Sequence, residues 1–169
     1  MGSGYVVHDN DGEAFWFTDL LAVMKTPVGD GARRDLAVAD ALAPVGSSPP
    51  MHIHLDEDEA WYLLEGRVRF RCGDDDLLAE PGSFVFAPRS VPHSFLVEEG
   101  PARVLVLATP GDFGEFVREA GVPAPERTIP PPAEPDVAAL TEVAAQHRIE
   151  IVGPPLSVLL AEAENDPQG

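Results

Sequence analysis

Gly46-Ser-Ser-Pro-Pro-Met-His52-Ile-His54-Leu-Asp-Glu-Asp-Glu59-Ala-Trp-Tyr-Leu-Leu-Glu-Gly66 is the stretch on which the fold turns. Side chains along a strand alternate between faces, so His52 and His54 share a face and their imidazoles can converge on one ion. Glu59 opens an apolar, aromatic run that closes at Gly66, which places the carboxylate on the next strand after a turn. A third imidazole is available from Val91-Pro92-His93, where the short loop after Pro88 would aim it inward. Three imidazoles and a carboxylate suit Fe, Ni, Cu, Mn or Zn and leave one or two positions for water or substrate. One divalent transition metal on His52, His54, Glu59 and His93 is the expected cofactor.

The flanks read as short strands. Residues 36–41 form a candidate strand, a Pro/Gly/Ser-rich loop over 44–50 leads to His52, and Arg67-Val-Arg-Phe-Arg71 alternates polar with apolar in period two. Turn chemistry at 73–76 and at Pro81-Gly82 separates this strand from others at 77–78, 84–87, 94–97 and 103–108. Strands spaced by turns, with no helix-length segment between 36 and 108, predict an all-β jelly roll. Beyond Thr109 the pattern changes: a short helix over 113–120, a connector over 123–135 whose six prolines continue neither helix nor ladder, a helix over 137–147 capped by Asp136, and an extended piece at 149–152. The expected organisation is an N-terminal arm with strands joining the barrel (1–35), a barrel core (36–110), and C-terminal helices, connector and tail packed outside (111–169). The tail from Glu162 is expected to fray.

Composition removes several function classes. With 29 acidic against 11 basic residues and a formal charge of −18, the chain repels phosphate backbones and anionic lipid, so no nucleic-acid partner is expected. No 18-residue apolar run and no leader pattern occurs, so neither membrane spanning nor secretion is expected. Cys72 is the single cysteine; it can form no internal disulfide, which fits a reducing cytoplasm, and it reads as an inert small residue. His8 and His147 lie outside the ligand pattern and read as surface residues.

The same spacing resembles the cupins. Their first motif, G-x5-H-x-H-x3-4-E-x6-G, is matched by Gly46, His52, His54, Glu59 and Gly66; their second, G-x5-P-x-G-x2-H-x3-N, by Gly82, Pro88 and His93, with Ser90 in place of the inner glycine and Val97 in place of the asparagine. Both departures spare the ligands and bear on the turn at Ser90 and on any polar role at 97. A narrower resemblance, to the single-domain flavonol (quercetin) 2,3-dioxygenase-like cupins of actinobacteria, rests on Gly12-Glu-Ala-Phe-Trp-Phe17, Phe84-Val-Phe-Ala-Pro-Arg89, Thr109-Pro-Gly111 and His147-Arg-Ile-Glu-Ile-Val-Gly-Pro-Pro155, beside the motifs themselves.

Parity places Trp61 and Leu63 on the face of Glu59, and Phe95 and Val97 on the face of His93, which predicts an apolar, aromatic wall. Such a wall favours a flat hydrophobic substrate over a sugar phosphate. The resemblance implies a metal-dependent dioxygenase that takes O2 and opens the ring of a flavonol or similar enolised aromatic, with carbon monoxide released from flavonols. In that reading Glu59 accepts the substrate's proton as the catalytic base, and Trp61, Phe95 and Met51 hold the ring system, with Leu63 and Val97 beside them. A redox-neutral cupin, such as a polyketide cyclase or isomerase using the metal as a Lewis acid, would use the same ligands, and a non-catalytic binder of a small aromatic would keep the pocket. Tyr62, Leu64 and the sheet edges predict a homodimer.

Overall fold

The computed structural model describes residues 4–9, 11–29, 32 and 35–165. In chain order the elements are β1 (Ala14–Phe17), β2 (Leu20–Met24), β3 (Ala37–Ala43), β4 (Pro50–His54), β5 (Asp58–Cys72), β6 (Asp75–Ala79), β7 (Phe84–Ala87), β8 (His93–Thr109), α1 (Phe113–Ala120), β9 (Val122–Pro123), α2 (Val137–Gln146), β10 (Ile149–Pro155) and α3 (Leu156–Asn165).

The two runs expected on either side of Gly66 are one 15-residue strand, β5, and those at 94–97 and 103–108 are one 17-residue strand, β8. These antiparallel strands pair along nearly their whole length, with register shifts between Leu63 and Val68. The shifts let the pair bend and serve two walls. In one wall the order is β7, the first half of β5, the second half of β8, then β3, β2, β1 and β9. In the other, the second half of β5 pairs β6 and the start of β8, and β8 meets β4 at His93↔His52, with β10 outside β4. All ten strands of the described residues thus make one jelly roll, and the sheet draws in β1, β2, β9 and β10 from beyond residues 36–110. Helices α1, α2 and α3 pack on it from the C-terminal third.

Strand β3 shows why the interior is hollow. Its burial alternates strictly, and every inward position is alanine: Ala37, Ala39, Ala41 and Ala43. Most barrels of this size fill their interior with large side chains; this one leaves space above a methyl-lined floor. The proline-rich connector is held against the barrel by Trp16, whose indole N–H donates to the Thr128 carbonyl at 2.8 Å, and by Arg127, which donates to the Gly12 carbonyl at 2.7 Å.

Two expectations need correction. The chain does not fray at Glu162: α3 continues through Asn165, and the rest of the expected tail, 166–169, lies outside the described residues. His147 is not a surface residue. It caps α2 facing α1, is 9 % exposed, and both ring nitrogens meet carboxylates, Nδ1 to Asp112 and Nε2 to Glu119, each at 2.9 Å. Polar neighbours in sequence hid this, because the partners come from α1 about thirty residues away. Burial alone would lower its pKa, but the hydrogen bonds to Asp112 and Glu119 outweigh that and raise it. No helix among the described residues is long and apolar enough to cross a membrane.

Candidate metal centre and cavity

Strand β4 brings His52 and His54 to the inner face, β8 begins with His93 directly opposite His52, and β5 supplies Glu59 from the other wall. The imidazole rings lie 4.5 Å (His52–His93), 5.4 Å (His52–His54) and 5.5 Å (His54–His93) apart. One Glu59 oxygen sits 3.1 Å from His93 Nε2 and 3.3 Å from His54 Nε2. One ligand atom from each of the four residues falls within 4.8 Å of the others, a spacing that bonds of about 2.0–2.2 Å nearly span.

The donor chemistry fits a transition metal. His52 Nδ1 donates to the Pro50 carbonyl at 2.8 Å, His93 Nδ1 to the Val91 carbonyl at 2.9 Å, and His54 Nδ1 to a Glu57 oxygen at 3.1 Å. With every Nδ1 engaged by an acceptor, each ring turns the lone pair of Nε2 toward the centre, as a metal-ligating histidine requires. Burial, aided by repulsion from His93 and His54, lowers the His52 pKa to about 3, so this ring is neutral and available. For His54, burial opposes the charge, but Glu59 and Glu57 outweigh it and raise the pKa. Burial likewise opposes the Glu59 charge, and the three imidazoles reverse it, holding the carboxylate below its ordinary range.

Ser90 stands where the motif has glycine, and its φ of 65° is the conformation glycine usually supplies. Its N–H donates to the His54 carbonyl at 2.7 Å, so the turn tolerates the serine while closing against the strand that carries His52 and His54.

His52, His54 and Glu59 open onto a cavity with about 110 Å³ of room for the centres of water-sized molecules, enough for several waters. Trp61, Phe95 and Val97 line it, as do Phe70 and the alanine floor. An aromatic chain runs Phe95–Phe70–Trp61–His93 at centroid spacings of 6.0, 5.0 and 5.7 Å, and another runs His54–Phe113–Phe116–Phe17 at 6.1, 6.3 and 5.3 Å. Among the described residues, no Lys or Arg lines the cavity. Leu63 is fully buried in the surrounding core and Met51 packs beside Gly153; neither lines it. Sequence reasoning missed the roof, which α1 and α2 supply through Phe113, Phe116, Val117 and Leu140, and it missed Glu57. The alternating alanines of Ala37-Val-Ala-Asp-Ala-Leu-Ala43 were the available signal for a hollow interior.

Residues 41–108 match the family model described as Cupin domain. A quercetin 2,3-dioxygenase of Bacillus subtilis (strain 168) is 24 % identical over 123 residues, 70 % of this chain, and the chain spans 35 % of that enzyme's length. Among solved structures, KdgF from Halomonas sp. superposes with a TM-score of 0.55 at 16 % identity, over 64 % of this chain and 94 % of that one. The polyketide cyclase RemF from Streptomyces resistomycificus superposes with a TM-score of 0.53 at 25 % identity, over 64 % of this chain and 80 % of that one. A jelly roll with three imidazoles and a carboxylate at one end of its hollow interior is a β-barrel whose cluster could hold a metal ion. With the match over residues 41–108, the fold is that of a cupin-type jelly roll.

Proposed function

We propose that this protein is a metal-dependent dioxygenase acting on a flavonol-like or other enolised aromatic small molecule. The observation that carries the reading is the opening of His52, His54 and Glu59 onto an aromatic cavity that no Lys or Arg among the described residues lines. Beyond the metal end, such a wall offers a phosphate or carboxylate no guanidinium or ammonium partner but accepts a flat, neutral ring system. The similarity to a quercetin 2,3-dioxygenase supports the oxidative branch.

A bound Fe, Ni, Cu, Mn or Zn ion would supply Lewis acidity and, where it is redox-active, a path for electrons to O2. The protein's own groups do the rest. Trp61 and Phe95 clamp the ring faces, Val97 and the alanine floor exclude water, and the roof over the site closes the reacting end. Glu59, 4 % exposed and held anionic by its imidazole neighbours, takes the hydroxyl proton of the bound substrate. Met51 and Leu63 act from behind this wall rather than on it.

A second reading, redox-neutral cyclisation or isomerisation, is favoured by the similarity to RemF, which matches a larger share of its own length than the dioxygenase does. Oxygen uptake by metal-loaded protein against a panel of flavonols, beside anaerobic conversion of aromatic polyketides, tests both. Uptake with a flavonol supports the first; anaerobic conversion without any uptake replaces it with the second.

We also propose a cytoplasmic homodimer. Tyr62, Phe84 and Phe86 are 41, 62 and 49 % exposed on one outer face, and Tyr62 pairs across to Leu105. A row of that kind is usually covered. Light scattering that finds only an 18.1 kDa species at micromolar concentration would refute the dimer.

A further inference from the structure

Glu57 belongs to no motif, yet it is 4 % exposed and accepts two hydrogen bonds from different parts of the fold. Its Oε2 lies 3.1 Å from His54 Nδ1, and its Oε1 accepts from the backbone N–H of Phe113 at 2.8 Å. Phe113 is the first residue of α1, and its N–H is one of the donors that a helix leaves unpaired at its start. The residue in the capping position, Asp112, makes no side-chain cap; its carboxylate meets His147 instead. The cap of α1 therefore comes from 56 residues earlier in the chain.

We propose that Glu57 is a positioning residue that couples metal binding at His54 to the seating of α1, and so to the shape of the cavity. The inference rests on the metal reading above and goes beyond it. Two features of the geometry carry it. Both partners are donors and each meets a different oxygen, so both ends of the group between them must accept, as in a carboxylate, whereas an amide places a donor at one end. That arrangement fixes His54 with its proton on Nδ1 and its lone pair on Nε2, facing Glu59. Charge is the second feature: with three neutral imidazoles, the charges of Glu57 and Glu59 together balance a divalent cation in a buried site, where an unbalanced charge is costly. At the other end of the link, α1 contributes Phe113, Phe116 and Val117 to the cavity wall. A ligand ring and the wall of the substrate site are thus joined through one side chain.

The test compares wild type, Glu57→Gln and Asp56→Asn. Asp56 is exposed and pairs with Arg148 at the surface, so its variant removes the same charge from the same loop without touching either bond. Zn²⁺ affinity is measured by competition with a chelator, and amide hydrogen exchange is followed over residues 113–120 with and without Zn²⁺. In Glu57→Gln one bond must set donor against donor, so Zn²⁺ binding should weaken about 10–100-fold, whereas Asp56→Asn should stay within about threefold of wild type. In wild type, Zn²⁺ should slow exchange in α1; in Glu57→Gln that slowing should vanish. A readout on the wild type alone guards against a variant that fails to fold: nitrogen-detected magnetic resonance of the Zn²⁺-loaded protein should show the His54 proton on Nδ1. Tight Zn²⁺ binding by Glu57→Gln, α1 exchange indifferent to Zn²⁺ in wild type, or a proton on His54 Nε2 would each overturn the proposal while leaving the metal centre intact. Wild-type protein that binds no Zn²⁺ would overturn the metal reading itself, and this inference with it.

Discussion

Gly66 and Gly82 close the first motif and open the second; both have positive φ, 86° and 92°, but only one of them is crowded. A Cβ on Gly66 would lie 2.6 Å from the Glu99 carbonyl oxygen and 2.8 Å from the Ala102 Cα, both backbone atoms of β8. A Cβ on Gly82 would meet nothing within 4 Å. Alanine at either position costs about 1–2 kcal/mol for the left-handed backbone, offset by about 0.4–1 kcal/mol from the stiffer unfolded chain. At Gly66 alone, β8 must also shift at the bend it shares with β5, adding about 1–3 kcal/mol, the usual cost of overpacking. The expected net losses are about 1–4.5 kcal/mol for Gly66→Ala and about 0–1.5 kcal/mol for Gly82→Ala. Urea unfolding of both variants, in chelator so that metal linkage does not contribute, measures the difference directly. Losses equal within about 0.5 kcal/mol would refute the claim that close approach of β8, rather than backbone conformation, makes glycine necessary at 66.

Other outcomes follow from the same geometry. Replacing His52, His54 or His93 by alanine should each strip most of the metal, read by elemental analysis; wild-type content in all three would refute the ligand assignment. Glu59→Gln should keep much of the metal and bind a flavonol while losing turnover by about 10²–10⁴-fold; near-normal turnover at full occupancy would exclude Glu59 as the base. His147 has a folded-state pKa above its ordinary value, so the stability it adds is complete below about pH 6.5, the unfolded value, and is lost as pH rises through the folded pKa. The stability gap between wild type and His147→Gln should therefore shrink from acid to alkaline pH; a gap that widens would refute the pairing with Asp112 and Glu119.

The barrel was legible because its evidence is local. His52 and His54 on one strand, the period-two run at 67–71 and the turn residues at 73–76 each follow from backbone geometry a few residues long. What escaped depends on which distant segments meet. The union of 94–97 with 103–108 into β8 crosses Glu99-Gly100-Pro101, a sequence that reads as a turn but that pairing with β5 and β3 holds in the sheet. His147 looked exposed for the same reason, since only the approach of α1 buries it.

Within the site, the boundary between what parity could and could not predict falls at one residue. Strand β5 begins at Asp58, so Trp61 inherits the orientation of Glu59 and reaches the cavity, while Leu63, two residues further, stays on the inner face but sinks into the core as the strand approaches its bend at Gly66. Glu57 lies one residue before the strand, in the turn between β4 and β5, where alternation no longer applies and an acidic run gives no reason to expect burial. Its position is set by two donors that only the folded chain brings together, the His54 ring and the first N–H of α1. A carboxylate buried from a turn is illegible in this way, because its partners, rather than its neighbours, decide where it points.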